Sequence, residues 1–207
     1  MTPENLLTTA AQGLTPPQRE AHYGHPGAVL WLTGLSAAGK TSLAIALEQR
    51  LTAMGYSCYV LDGDQLRKGL NADLGFEPAD RTENVRRAGE VAALFAQAGL
   101  VCIAAFISPY REDRARARAA CQGQFHEVFV AADLATCEAR DPKGLYRLAR
   151  AGSLTRFTGV SAPYEAPEQP DLTLHTATCS LDTTVQELLD YVKRHVPLRG
   201  QGVRTSG

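Results

Sequence analysis

The chain has almost no excess charge and no apolar run long enough to cross a membrane. Its 207 residues include 21 Lys and Arg and 22 Asp and Glu, which gives a formal net charge of −1. This balance excludes a general attraction to nucleic acid or to an anionic membrane surface. The N-terminus also lacks the basic-then-apolar pattern of a signal peptide. We therefore expect a cytoplasmic protein with no nucleic-acid or membrane partner, in which anions bind at local clusters of charge.

Cysteines are few, scattered and odd in number. The five of them include no C-x-x-C pair, which disfavours a disulfide framework and a zinc site. We expect reduced thiols that serve mostly as small core residues. The sequence also contains no visible internal repeat.

Short apolar runs alternate with helical patterns along most of the chain. A chain of this length that is 44% hydrophobic can bury a substantial core. Strands that alternate with helices predict right-handed βαβ units and a mostly parallel sheet, in a three-layer α/β/α domain. We place this domain at residues 27–196, between a flexible N-terminal extension (1–26) and a flexible tail (197–207). The predicted strands are AVLWLTG (28–34), CYVLDGD (58–64), VCIAAFIS (101–108), HEVFVAA (126–132) and DLTLHT (171–176).

The stretch GLSAAGKTS, residues 34–42, matches the P-loop pattern G-x-x-x-x-G-K-[ST]. A buried strand precedes it and a helical pattern follows. The backbone N–H groups of the loop and the N-terminus of the helix are expected to enclose a β-phosphate, with Lys40 reaching the β and γ oxygens. Thr41 is expected to hold Mg²⁺ through its hydroxyl. The stretch predicts a P-loop NTPase fold that binds a nucleoside triphosphate.

Two acidic residues follow the second predicted strand, in LDGDQLRKGLNADLGF. Asp62 and Asp64 stand at the carboxyl end of that strand, so they should face the same crevice as the P-loop. A carboxylate there can hold Mg²⁺ through water or accept a proton from an attacking hydroxyl. The alternative is an aspartate that only caps the next helix.

Four arginines crowd the span that follows, namely Arg67, Arg81, Arg86 and Arg87. Arginine suits bidentate contacts to oxyanions. We interpret Arg67 and Arg81 as contacts to a second anionic substrate, and Arg87 as a solvated residue on a helix face.

Six successive motifs within residues 27–196 resemble those of the adenylylsulfate kinases, also called adenosine-5′-phosphosulfate (APS) kinases. In order they are GLSAAGKTS, LDGDQLRKGLNADLGF, DRTENVRR, AFISPYREDR, CEARDPKGLY and RFTGVSAPYE. The resemblance implies a P-loop kinase of the nucleoside-monophosphate-kinase type. Its implied reaction transfers a phosphoryl group from Mg-ATP to the 3′-hydroxyl of APS, which gives ADP and 3′-phosphoadenylylsulfate (PAPS) for sulfate assimilation.

The resemblance also implies which residues meet each nucleotide. Phe76 and Phe157 would stack on the adenine of APS, and we expect Phe157 to contribute little to stability and Phe76 more. The residues implied for ATP are Gly34, Ala37, Ala38, Gly39, Lys40, Thr41, Ser42 and Cys179, the last beside the base. Those implied for APS are Asp64, Arg67, Phe76, the run Arg81 to Asn84, Ile107, Ser108, Lys143 and Phe157.

Three residues are predicted to act in the transfer itself. Asp62 is expected closest to the 3′-hydroxyl, as a base or as a Mg²⁺ organiser with Thr41, and Lys40 neutralises phosphate charge. Ser108 corresponds to a serine for which the family suggests a phosphoserine route. We favour direct in-line transfer with Ser108 as a binding residue, because Lys40, Mg²⁺ and the arginines suffice. The Gly-, Pro- and charge-rich stretch 140–167 is expected to form a mobile lid that excludes water.

Ala37 departs from the family pattern, which commonly has glycine there. An L-residue is tolerated at that position if its φ is negative. Two alternatives stay open: another small-molecule kinase, of the gluconate or shikimate type, and a non-catalytic nucleotide sensor. Intact Lys40, Thr41 and Asp62 favour an active kinase. The resemblance further implies a homodimer and leaves an ATP sulfurylase partner open.

Overall fold

The centre of the protein is a five-stranded sheet, entirely parallel, with the strand order β2-β3-β1-β4-β5. The structure is a computed structural model and describes residues 13–199. The strands are β1 (Ala28–Thr33), β2 (Cys58–Asp62), β3 (Val101–Ala105), β4 (Phe125–Ala131) and β5 (Leu172–His175). The helices in this part are α1 (Pro16–Tyr23), α2 (Lys40–Ala53), α3 (Gly63–Leu66), α4 (Pro78–Gln97), α5 (Arg111–Ala120), α6 (Leu134–Arg140), α7 (Leu145–Arg150) and α8 (Leu181–His195). The predicted parallel α/β sheet is confirmed.

The middle strand, β1, is buried along its whole length. Its side chains alternate between the two faces of the sheet, as the two-residue period of a strand requires. Leu30 and Leu32 join a cluster with apolar residues of α2 and α8. Val29 and Trp31 join a second cluster with the alanines of α4 and with Phe106. Helices therefore cover both faces, and the predicted three-layer architecture is confirmed.

The N-terminal segment differs from the flexible extension expected for residues 1–26. Residues 1–12 lie outside the described part, but α1 forms a helix that ends at Gly24, where φ is 78°. The ring of Tyr23 packs so closely on Gly99 that a Cβ added to Gly99 would lie 2.7 Å from it. His25 is fully buried. Residues 16–26 thus form a helix and a turn that contact the domain through Tyr23 and His25, and the expectation of a flexible extension is corrected for them.

Leu198 and Arg199 contact the domain, although they were expected in the flexible C-terminal tail. Leu198 packs against the main core cluster, and the N–H of Arg199 donates to the carbonyl of Gly24 (2.6 Å). Residues 200–207 lie outside the described part. Within residues 13–199, no helix is both long and apolar enough to span a membrane.

The cysteines divide by burial. Cys102, Cys121 and Cys137 are buried core residues, as predicted, and Cys58 is half-buried. Cys179 is exposed, so the core interpretation does not hold for it.

Candidate active site

The carboxyl ends of the central strands open into one cavity of about 1050 Å³. This edge of a parallel sheet is where ligands bind in open α/β folds. The volume is at the upper end of the roughly 300–1,000 Å³ usual for small-molecule sites. All of the residues predicted for ATP and APS line it except Gly34, Ala38, Thr82 and Glu83.

Two of these exceptions, Gly34 and Ala38, shape the P-loop without lining the cavity. A Cβ at Gly34 would lie 2.6 Å from the carbonyl oxygen of Val130, so only glycine lets the end of β1 pass β4 this closely. Ala38 is fully buried in the core beneath the loop. Both residues shape the loop without facing the cavity.

The other two exceptions lie on the far faces of α4. Arg81 and Asn84 are three residues apart and share the face that lines the cavity. Thr82 instead donates to Asp113 (3.0 Å). Glu83 turns away toward other partners. Of the run predicted to meet APS, only the two ends, Arg81 and Asn84, therefore line the cavity.

Glu83 sits between two arginines of the same helix. Arg86 contacts it at 2.7 Å and Arg87 at 2.8 Å. Their hydrogen bonds lower the pKa of Glu83 to about 2. Arg87 also pairs with Asp73 (2.7 Å), so it is a half-buried structural residue and not the solvated one predicted.

The P-loop lysine is buried at the start of α2. Only 8% of Lys40 is exposed, and its Nζ donates to the carbonyls of Gly34 (2.9 Å) and Leu35 (2.6 Å). Burial lowers the pKa of Lys40 to about 8. Gly39 precedes it with a φ of 101°, a left-handed conformation that favours glycine.

Ala37 takes a conformation that the sequence expectation did not allow for. Its φ is +60°, so the negative φ assumed for an L-residue is not observed. The left-handed region costs alanine about 1–2 kcal/mol. The P-loop therefore contains one strained residue, which lowers the stability of the folded protein by this amount.

Asp62 ends β2 beside the P-loop. One carboxylate oxygen accepts from the hydroxyl of Thr41 (2.9 Å), and the other accepts from the N–H of Asp64 (2.8 Å) and so caps α3. The helix cap and the cavity-facing carboxylate are therefore the same residue. Asp64, which stands in the first turn of α3, forms an ion pair with Lys143 of the lid.

Arg67 and Arg81 converge on the loop that carries Phe76. Arg67 donates to the carbonyl of Gly75 (2.9 Å), and its guanidinium carbon lies 4.4 Å from the centroid of the Phe76 ring. Arg81 donates to the carbonyl of Phe76 (2.9 Å) and to the hydroxyl of Thr158 in the lid (2.7 Å). Phe76 itself is 63% exposed. The two cations and the aromatic ring thus form one patch of the cavity wall.

Phe157 enters the cavity from the lid but is also packed from behind. It is half-buried against the main core cluster and meets the edge of Tyr146, with ring centroids 4.9 Å apart. Asn84 is nearly buried, and its side-chain oxygen accepts a hydrogen bond from Asn71 (3.0 Å).

Ser108 has a positive φ of 40° and its hydroxyl points into the protein. The hydroxyl donates to Thr33 (3.0 Å) and accepts from the indole N–H of Trp31 (3.1 Å). Only 2% of the residue is exposed. Its contribution to the cavity wall is therefore small and does not come from a free hydroxyl.

Arg140 and Thr176 are among the cavity residues that the sequence reasoning missed. Arg140 reaches the carbonyls of Ala37 (3.4 Å) and of Thr176. The hydroxyl of Thr176 donates to the carbonyl of Ala38 (2.7 Å). The position of Thr176, the last residue of the last predicted strand, was the available signal, because the carboxyl end of every strand faces this edge.

The cavity combines a P-loop that has a buried lysine with a hydroxyl–carboxylate pair and a second basic cluster. This combination is typical of a P-loop phosphotransferase. The family model for adenylylsulphate kinase matches residues 26–175. The adenylyl-sulfate kinase of Geotalea daltonii is 56% identical over 171 residues, which cover 82% of this chain and 84% of that protein. The enzyme of Staphylococcus epidermidis is 46% identical over 196 residues, or 94% of this chain and 98% of that protein. The structure of the Mycobacterium tuberculosis APS kinase in complex with AMPPNP and APS matches with a TM-score of 0.78 at 49% identity, covering 81% of this chain and 98% of that chain. The chain belongs to the adenylylsulfate kinase family.

Proposed function

We propose that the protein transfers the γ-phosphoryl group of ATP to the 3′-hydroxyl of APS, which yields ADP and PAPS. The observation that carries this proposal is the union of two sites in one cavity, the P-loop and the Arg67–Arg81–Phe76 patch. A P-loop alone fits any nucleoside triphosphatase. The second patch adds cations and an aromatic face, which suit an acceptor that is both anionic and aromatic.

The ATP phosphates bind along residues 37–42, with the positive end of α2 beneath them. Lys40 is already directed along the loop by two carbonyls. Charged Lys40 neutralises phosphate oxygens as negative charge shifts toward the leaving ADP.

The residues next to the P-loop fit a magnesium ion. Mg²⁺ prefers oxygen ligands and is usually held by one or two side chains together with substrate phosphates. The hydroxyl of Thr41 and the carboxylate of Asp62 offer such oxygens 2.9 Å apart. When bound, Mg²⁺ would supply charge neutralisation at the phosphates. Thr41 would hold it directly, and Asp62, whose oxygens are oriented by Thr41 and by the cap of α3, acts as its organiser.

The acceptor binds across the cavity from the P-loop. Arg67 and Arg81 hold the phosphosulfate, and Phe76 and Phe157 flank the adenine. Lys143, whose partner is Asp64, and Thr158, whose partner is Arg81, tie the lid to this site. Closure of the lid over both nucleotides then excludes water from the transfer.

Transfer is direct and uses no phosphoserine. The Ser108 hydroxyl is engaged by Thr33 and Trp31 within the core, and a phosphoryl group there would need space that a residue with 2% exposure lacks. Radiolabelled ATP is expected to leave no label on the protein when APS is absent. A trapped labelled serine would contradict the direct route.

A coupled ADP-release assay tests the proposal, with ATP alone and with APS, gluconate or shikimate as acceptors. Of the three acceptors, only APS should stimulate the release of ADP from ATP. Stimulation by a sugar acid would favour a sibling kinase, and nucleotide binding without any turnover would favour a sensor.

The variant Asp62→Asn tests the role of Asp62 in the same assay, and Asp133→Asn is its matched control. Asp133 also caps a helix, accepting from the N–H of Thr136 (2.7 Å), yet it does not line the cavity. We expect Asp62→Asn to lower turnover roughly a hundredfold or more, with APS binding by calorimetry largely retained. Asp133→Asn should leave turnover close to wild type. Equal effects of the two variants on turnover would reduce Asp62 to a helix cap.

Three points stay predictions or open. The family resemblance implies a homodimer and leaves docking of an ATP sulfurylase open, and composition together with the lack of a signal pattern predicts a cytoplasmic location. Light scattering coupled to size-exclusion chromatography checks the first of them, and a monomer at assay concentration would contradict it.

A further inference from the structure

The side chain of Arg114, on the charged helix α5, is buried at the junction of three parts of the protein. Only 3% of it is exposed. Its guanidinium donates to the carboxylate of Glu127 on β4 (2.6 Å), to the carbonyl of Ser108 (2.7 Å) and to the carbonyl of Glu165 at the end of the lid (2.8 Å). A buried cation with this many bonds specifies geometry as well as charge.

The first of the two carbonyls belongs to the loop that follows β3. Ser108 holds a left-handed φ of 40°, which costs a non-glycine residue about 1–3 kcal/mol unless its surroundings fix it. Its hydroxyl is fixed by Thr33 and Trp31, and its carbonyl by Arg114. Arg114 therefore holds the carbonyl side of this loop in place, and the conformation of the neighbouring Ile107 depends on that contact.

The second carbonyl belongs to the point where the lid returns to the domain. The N–H of Glu165 donates to the carbonyl of Pro109 (2.8 Å), and its carboxylate accepts from the N–H of Arg111 (2.8 Å). Together with Arg114, these contacts tie the end of the lid to the same loop. The loop and the lid end form a single hydrogen-bonded unit around one guanidinium.

We infer that Arg114 is a positioning residue for the acceptor nucleotide. It sets the backbone at Ile107 and Ser108, and it sets where the lid ends, while Glu127 compensates its charge. The inference rests on the proposed function and on the expectation that APS meets Ile107 and Ser108, both of which line the cavity. Arg114 itself lies outside the cavity wall and touches no substrate.

Lysine is the substitution that separates positioning from charge. In Arg114→Lys a cation remains beside Glu127, but a single ammonium does not reproduce the planar fork that reaches two carbonyls. Arg118 provides the matched control. It lies one turn further along α5 and contacts the same Glu127 (3.9 Å), Asp171 (2.6 Å) and the carbonyl of Phe125 (3.1 Å), but neither the loop nor the lid.

The measurement is steady-state kinetics with APS and with ATP as the varied substrate, for wild type, Arg114→Lys and Arg118→Lys. We expect Arg114→Lys to raise the KM for APS roughly tenfold or more, the size of one or two lost bonds to a charged group, and to leave the KM for ATP nearly unchanged. Arg118→Lys should change neither constant. An unchanged KM for APS, or equal losses for both substrates, would overturn the positioning role.

A second variant covers the case in which Arg114→Lys fails to fold. Arg114→Leu combined with Glu127→Leu removes both buried charges, a change that cores often tolerate, and still lacks the donors to both carbonyls. The same rise in the KM for APS is expected, and its absence would overturn the inference. Lack of APS turnover by the wild type would instead be a failure of the proposed function.

Discussion

At the scale of the residue, Ala37 carries a left-handed backbone in the middle of the P-loop. Within residues 13–199, only two other non-glycine residues have a φ above +20°, Ser108 (40°) and Gln122 (49°). Ser108 is held in place by hydrogen bonds from both its hydroxyl and its carbonyl. The methyl group of Ala37 makes no such bond, so its left-handed backbone is held by the hydrogen bond from Arg140 to its carbonyl (3.4 Å) and by the packing of the loop.

Ala37→Gly should therefore raise the free energy of unfolding by about 1 kcal/mol. Gln122→Gly is the matched control, since it relieves the same kind of strain at an exposed turn outside the cavity. The melting temperature should rise in both variants, and Gln122→Gly should leave the KM for ATP unchanged. If Ala37→Gly destabilises the protein while Gln122→Gly stabilises it, the packing of the Ala37 methyl group contributes more to stability than its left-handed backbone costs.

At the scale of the element, the two phenylalanines sit on segments of different stability. Phe76 is on an exposed loop and is 63% exposed, with Arg67 over its ring. Phe157 is in the lid but packs against Tyr146 and the main core cluster. This reverses the order expected from the sequence, in which the apolar LGF turn made Phe76 the more structural of the two.

Phe157→Ala should consequently lower the melting temperature more than Phe76→Ala, because it empties a partly buried site. Both variants should lose roughly 1–3 kcal/mol of APS binding if each ring stacks on the adenine. ATP binding without APS should stay nearly unchanged. The measurements are APS titration by calorimetry and thermal melting. A Phe157→Ala variant that melts early but binds APS normally would remove Phe157 from the acceptor site.

The strands were predictable because β1 and β3 are continuous apolar runs and the other three are short segments with several apolar residues. Their alternation with helical patterns predicted the parallel sheet. Helix α1 was not predicted, since it buries no residue of its own. Its signal is local: Thr15 donates its N–H to the side chain of Gln18 (2.8 Å), a capping arrangement visible in the order T-P-P-Q. The sequence did not reveal that Thr82 and Glu83 lie off the cavity wall, because a motif written as a run hides which residues share a helix face.

At the scale of the whole molecule, a nearly neutral chain concentrates positive charge in one cavity. The wall contains six basic and four acidic side chains, although the net charge of the chain is −1. The basic ones are Lys40, Arg67, Arg81, Arg140, Lys143 and Arg156, and the acidic ones are Asp62, Asp64, Glu77 and Asp141. Composition could predict that a local cluster was needed. It could not predict the contribution of Arg140 and Arg156, because that depends on how the lid returns over the sheet.

The most buried of these cations, Lys40, should make stability and ATP binding respond to pH in opposite directions. Burial lowers its pKa from 10.5 to about 8. Between these two values the unfolded chain binds more protons at this site than the folded one, so the stability contributed by this site rises with pH. ATP needs the charged form, so its affinity should fall as pH rises above about 8.

Lys40→Met isolates both effects, because methionine has a similar length and no charge. At pH 7 the buried charge of the wild type carries its full cost, on the order of 3 kcal/mol from the pKa difference, so the variant gains stability relative to the wild type. As the pH rises from 8 toward 10.5, the wild type should regain that difference, while the variant shows no matching change. Denaturant unfolding at several pH values, with ATP titrations alongside, measures both trends. A stability difference between wild type and variant that stays constant over this range would mean that Lys40 titrates normally, and that the P-loop does not hold a strained lysine ready for phosphate.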